Sequence, residues 1–230
     1  MRRSALLLLI LSLACAASTA VPPNQHGLRV VPDLATYKQL VRANPESELV
    51  DLAAFLPGVT LDIRYATADN FMKRKLYPVS RAYLRRPAAV ALRAVQEELS
   101  TQGLAIKVFD AYRPYSVTEA MWEPIRNEDY VANPAKGSRH NRGAAVDLTL
   151  IDLRTGKELP MPTAYDDFTA RARHAFTDLP EEAIGARERL RLVMTKHGFE
   201  PLPSEWWHYD FKGWERFDLM NVPLEAIRNE

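Results

Sequence analysis

The chain has 230 residues, 47% of them hydrophobic and 26% charged, with a formal net charge of +1. These values suit one globular domain with a sizeable core, and they exclude a strong electrostatic field aimed at nucleic acid or a membrane surface. The single cysteine, Cys15, excludes a fold held by intramolecular disulfides.

Residues 1–20 read as a secretory signal peptide: a basic Met1-Arg2-Arg3 head, an apolar run from Ala5 to Ala17, and small residues Ser18-Thr19-Ala20 before Val21-Pro22-Pro23. The apolar run is too short for a comfortable membrane span. Cys15 raises a lipoprotein alternative, which Ser12-Leu13-Ala14 disfavours because the expected leucine sits one place too late. Cleavage after Ala20 removes Arg2, Arg3 and Cys15 and takes the formal charge from +1 to −1. The remaining domain, residues 21–230, has no thiolate for a metal or for nucleophilic catalysis, so any metal must be held by histidine and carboxylate. Export points most simply to a bacterial periplasm.

The predicted elements follow. Leu34 to Val41 reads as a short helix, and Leu52 to Pro57 is ambiguous. Val59 to Tyr65 alternates as a strand does. Ala66 to Phe71 is a polar loop with an aromatic anchor. Pro87 to Leu99 is the clearest helix, with Ala88, Ala91, Leu92, Val95 and Leu99 on one face and Pro87 in the first turn. Leu104 to Phe109 is a strand leading into Asp110-Ala-Tyr-Arg113-Pro114, and a short helix runs from Ser116 to Trp122.

A polar loop, residues 127–137, then leads to Ser138-Arg-His140-Asn-Arg-Gly143-Ala-Ala145-Val-Asp147. Val146, Leu148 and Leu150 form the apolar face of a strand, with Asp147 on the other face. His140 lies in the preceding loop, which Gly143 allows to turn sharply. After an irregular loop over Leu159 to Phe168, Ala186 to His197 reads as a helix with Gly198 as its cap. Trp206 to Phe211 is the last strand. There is no repeat or linker, and no regular βαβ cadence. The expected fold is a single α+β domain with a mostly antiparallel central sheet flanked by helices.

A lone histidine is more often a hydrogen-bonded structural residue than a ligand. His26 reads as a loop residue, His174 as an exposed helix residue and His197 as a helix C-terminal residue. His140 and His208 differ in their company. His140, Asp147 and His208 make a three-ligand zinc set with an open fourth position, the arrangement of catalytic zinc. Glu205, in Glu205-Trp-Trp-His208-Tyr-Asp210, is then left as a base, provided that a turn brings it to the same side as His208. Arg113 suits an oxyanion or a carboxylate, or else a plain surface ion pair. Asp110 is positioned to orient Arg113 or a ligand.

These segments together resemble the zinc D-alanyl-D-alanine dipeptidases of the VanX type, within the D,D-peptidase metalloenzymes. Tyr65-Ala-Thr67, Asp69-Asn70-Phe71 and Met161-x-Thr163-x-Tyr165-Asp166 extend the match over roughly residues 50–215. The resemblance implies a Hedgehog/DD-peptidase-like fold and one zinc per subunit, on His140, Asp147 and His208. It implies Glu205 as general base and acid, and Arg113 as the group stabilising the tetrahedral intermediate. Tyr65, Ser138 and Asp166 are implied as substrate contacts, Asp166 for the substrate amino group. Pro162, where relatives often carry glycine, stiffens that loop and leaves Asp167 as a competitor. The implied reaction is hydrolysis of D-Ala-D-Ala in peptidoglycan turnover. The alternatives are a D,D- or L,D-carboxypeptidase acting on stem peptides and, in another class, a non-catalytic cell-wall-binding module.

Overall fold

The structure is a computed structural model that describes residues 21–227; the proposed signal peptide, with Cys15, lies outside the described residues. The chain runs β1 (Val30–Val31), α1 (Leu34–Ala43), β2 (Leu49–Asp51), α2 (Leu52–Phe55), β3 (Thr60–Leu61), β4 (Tyr83–Arg85), α3 (Arg86–Ser100), β5 (Leu104–Asp110) and α4 (Tyr115–Ile125). It continues through β6 (Ala145–Asp152), α5 (Glu181–Lys196), β7 (Phe199–Pro201), β8 (His208–Phe211) and β9 (Leu219–Met220).

The central sheet has five strands in the order β3-β5-β6-β8-β7. Every pairing in it is antiparallel except β3 with β5, as the α+β expectation required. Helices α3 and α5 pack against the sheet and each other. The face read from the sequence on α3, Leu92, Val95 and Leu99, is buried, and so are Leu190, Val193 and Met194 on α5. Burying each such side chain stabilises the fold by about 1.5–3 kcal/mol.

Two registers position the chemistry. Asp110 on β5 sits opposite Asp147 on β6, after an irregularity at Phe109. Asp147 sits in turn opposite His208 on β8. Adjacent strands thus carry three polar side chains in a line across the sheet.

Several elements depart from expectation. The strand over Val59 to Tyr65 shrinks to Thr60–Leu61, because the chain then leaves the sheet through a tight turn at Arg64–Ala66 that buries Tyr65. Helix α5 begins at Glu181, five residues before Ala186; Pro180 precedes it, and Glu181 and Glu182 favour the positive end of the helix dipole. Trp206 and Trp207 lie in a turn rather than a strand, which begins only at His208. His174 is not helical, and its ring nitrogens are buried with no hydrogen-bond partner among the described residues.

Candidate metal centre and active site

The loop at Ser138–Gly143 is built to present one imidazole. Residues His140–Arg142 form a single tight turn that Gly143 ends at φ +67°. A Cβ on Gly143 would lie 2.6 Å from Leu49 Cδ2, so glycine is required both by backbone and by space. Asn141, fully buried, donates to the Arg113 carbonyl at 2.9 Å and to Thr118 Oγ1 at 2.8 Å. It ties this loop to the strand exit after β5 and to α4.

His140, Asp147 and His208 converge. His140 Nε2 lies 3.1 Å from His208 Nδ1 and 3.4 Å from Asp147 Oδ1, and His208 Nδ1 lies 3.0 Å from Asp147 Oδ1. Donor atoms about 2.0–2.1 Å from a tetrahedral zinc are spaced about 3.3 Å apart. The observed triangle therefore fits such an ion without rearrangement. The side chains are nearly cut off from water, at 3% exposure for His140 and Asp147 and 6% for His208.

The electrostatics agree. Burial works to raise the Asp147 carboxyl, but the two imidazoles outweigh it and hold it below the usual carboxylate range. Burial opposes charge on His208, and Asp210 and Asp147 overcome it and raise the ring well above its ordinary value. Carboxylates that favour a proton there also favour a metal cation, which displaces that proton on binding.

Glu205 stands beside this triangle, with Oε2 3.9 Å from His208 Nδ1. The turn over residues 203–207 brings the glutamate to the same side as His208, as the sequence required. Burial, the largest influence, pushes its carboxyl up to about 7, into the range suited to a general base. Arg113 is buried, and its Nε and Nη2 donate to Asp110 Oδ2 at 3.0 and 2.8 Å. The pair is therefore buried and not a surface ion pair. Asp110 also accepts from Tyr77 Oη at 2.7 Å, so the carboxylate that aims Arg113 is itself held.

Tyr65, Arg113, Ser138, Asp166 and Glu205 line one cavity with the three donors; its volume is about 230 Å³. Sites for drug-sized ligands run to about 300–1,000 Å³, so this one suits a small substrate. Tyr65 Oη donates toward the Asp166 carboxyl, 3.1 Å from each oxygen. Asp166 adopts φ +59°, a strained backbone of the kind found at ligand sites. Burial and the nearby Asp147 charge raise its carboxyl well above the usual range. Asp167 accepts from the Thr169 amide and lines a neighbouring depression instead of this cavity. Ser138 Oγ accepts from the His140 amide at 3.2 Å.

Sequence reasoning gave no role to Asn141, Tyr77 or Tyr165. Tyr165 Oη donates to Asp147 Oδ2 at 2.9 Å and lies 3.1 Å from Tyr65 Oη. No local pattern links Tyr165 to Asp147, because 18 residues and an irregular loop separate them.

The D-alanyl-D-alanine dipeptidase of Escherichia coli (strain K12) is 35% identical to this chain over 164 residues, 71% of this chain and 84% of that protein. The D-alanyl-D-alanine dipeptidase of Enterococcus faecium is 35% identical over 172 residues, 66% of this chain and 85% of that protein. Among solved structures, the LdcB LD-carboxypeptidase is similar at a TM-score of 0.42 and 20% identity, covering 74% of this chain and 71% of that one. The vancomycin resistance D,D-dipeptidase VanXYg, in complex with a D-Ala-D-Ala phosphinate analog, gives 0.38 and 21%, covering 58% and 52%. The family model described as D-ala-D-ala dipeptidase, peptidase M15, matches residues 45–220; with the dipeptidase relatives, this shows that the chain belongs to that family and is a metallopeptidase.

Proposed function

We propose that the chain is a zinc-dependent dipeptidase that hydrolyses D-Ala-D-Ala to two D-alanines. The observation that carries this is the His140–Asp147–His208 triangle with Glu205 beside it, in a chain of the dipeptidase family. His140 Nε2, one Asp147 oxygen and His208 Nδ1 would hold the ion. When bound, zinc supplies Lewis acidity toward the scissile carbonyl and makes the attacking water easier to deprotonate.

Glu205 takes a proton from that water as the water oxygen attacks the carbonyl carbon. Arg113 donates hydrogen bonds to the oxyanion that develops. Glu205 then returns the proton to the leaving amine as the carbon–nitrogen bond breaks. Asp166, steadied by the Tyr65 hydroxyl, receives the substrate ammonium. That cation compensates the burial and the Asp147 charge that otherwise disfavour an ionised Asp166. Ser138 contacts the substrate from the His140 loop.

The basic head, the apolar run from Ala5 to Ala17 and the small residues after it support export, most simply to a bacterial periplasm, where the dipeptide arises from peptidoglycan turnover. No helix among the described residues is long and apolar enough to cross a membrane.

The test is hydrolysis of D-Ala-D-Ala beside a pentapeptide ending in D-Ala-D-Ala, by zinc-loaded protein. Cleavage of the dipeptide alone is expected. Preference for the pentapeptide would move the chain to the carboxypeptidase alternative, and cleavage of neither would overturn the reading.

A further inference from the structure

His208 and His140 present opposite nitrogens to the donor triangle, and each ring has a partner on its far side. His140 Nδ1 lies 2.7 Å from the Ala111 carbonyl. A carbonyl only accepts, so the ring proton is on Nδ1 and the Nε2 lone pair is free for a metal. For His208 the far nitrogen is Nε2, 2.9 Å from Asp210 Oδ1. Asp210 thus accepts the Nε2 proton, and an ion in the triangle would take the place of the Nδ1 proton that otherwise faces Asp147 Oδ1 at 3.0 Å. The two rings therefore differ in their direct partner: His140 Nδ1 bonds a neutral carbonyl, with the Asp110 carboxylate farther off at 3.8 Å, whereas His208 Nε2 meets a carboxylate directly.

Asp210 is built into the sheet rather than placed by chance. It lies two residues after His208 on β8, sits opposite Ala145 on β6 and Glu200 on β7, and is buried. Its second oxygen lies 3.5 Å from Arg139 Nε. Arg139 is about half exposed, and its guanidinium stands over the Trp214 ring at 4.8 Å, a ring it shares with Arg142 at 5.4 Å. The charges thus run from the donor triangle through Asp210 to a cation held at the surface by an indole. Arg139 also precedes His140 in the chain, so the brace on one imidazole begins in the loop that carries the other.

We propose that Asp210 is a positioning residue for the metal centre: it fixes the tautomer and rotation of His208 and strengthens Nδ1 as a donor. This inference rests on the zinc reading of the site. A carboxylate behind a metal-bound imidazole sets ring orientation and ligand basicity, and its loss costs about 10–100-fold in metal affinity.

The test is zinc affinity by competition with a chromophoric chelator, together with the melting temperature of the metal-free protein, for wild type, Asp210→Asn and Asp210→Ala. Asp210→Asn keeps size and one acceptor oxygen but loses the charge, so it guards against an Ala variant that fails to fold. The expected result is zinc binding weakened about 10–100-fold in Asp210→Ala and by a smaller factor in Asp210→Asn, with the melting temperature of the Asn variant close to wild type. Zinc affinity within twofold of wild type in Asp210→Asn and in any folded Asp210→Ala would overturn the proposal, because a merely structural carboxylate moves the melting temperature alone. Wild-type protein that binds no zinc would overturn the metal reading itself, and the role of Asp210 with it.

Discussion

Glu205 and Arg113 divide the chemistry between a proton carrier and a fixed cation, and they should fail differently. Arg113→Ala removes one donor to the oxyanion and is expected to lower kcat by a hundredfold or more. KM should change far less, because that donor is used chiefly in the transition state; steady-state kinetics that show a KM effect alone would contradict the role. Replacing Arg113 also leaves Asp110 buried beside Tyr77 without its cation, so a melting curve should accompany the kinetics. At this scale the motif residues were readable because each chemical group came with a telling neighbour: glycine after His140, the aromatic pair before His208, the strand around Asp147. Asn141 and Tyr77 were not readable. Their partners, Arg113 and Asp110, lie 28 and 33 residues away, and no local pattern links them.

Among the elements, the loop of His140 and the aromatic wall of the cavity make separate predictions. Gly143→Ala meets Leu49 and an unfavourable backbone at once. It is expected to lower stability by about 1–3 kcal/mol and to weaken metal binding by displacing His140, checked by denaturant unfolding and zinc titration. Unchanged stability would mean that the loop relaxes freely. Phe168 stacks on Tyr130 at 4.9 Å and meets Phe71 edge-on at 5.3 Å, joining three loops along the cavity wall. Phe168→Ala should open that wall and raise pentapeptide cleavage relative to D-Ala-D-Ala; an unchanged ratio would assign the size limit elsewhere. The long helices were legible because their apolar faces repeat over several turns. The pairs β1 with β9 and β2 with β4 were not, since strands of two or three residues carry no periodicity. Their partners are set by tertiary contacts such as the buried Arg85 guanidinium, which donates to the carbonyls of Ser47, Arg142 and Asp218.

For the whole molecule, stability should depend on pH through His174, which packs edge-on to Tyr209 with ring centroids 6.0 Å apart. Burial lowers its pKa from the ordinary 6.5 to about 4. In the unfolded chain the ring protonates near 6.5, so between about 6.5 and 4 the unfolded state binds more protons. The contribution is therefore complete above about 6.5 and is lost as pH falls toward 4. Melting temperature should decline over that window, and His174→Phe should flatten part of the decline; superimposable profiles would show that His174 plays no part. The α+β class and the antiparallel sheet followed from the sequence, because strands and helices alternate without βαβ order. The cavity volume did not, because loops distant in sequence close it. The most direct test of the account is zinc content and D-Ala-D-Ala turnover measured on the same preparations of wild type and Glu205→Ala. The account predicts one zinc per chain in both and turnover only in wild type. Full turnover in Glu205→Ala, or wild-type turnover without bound metal, would contradict it.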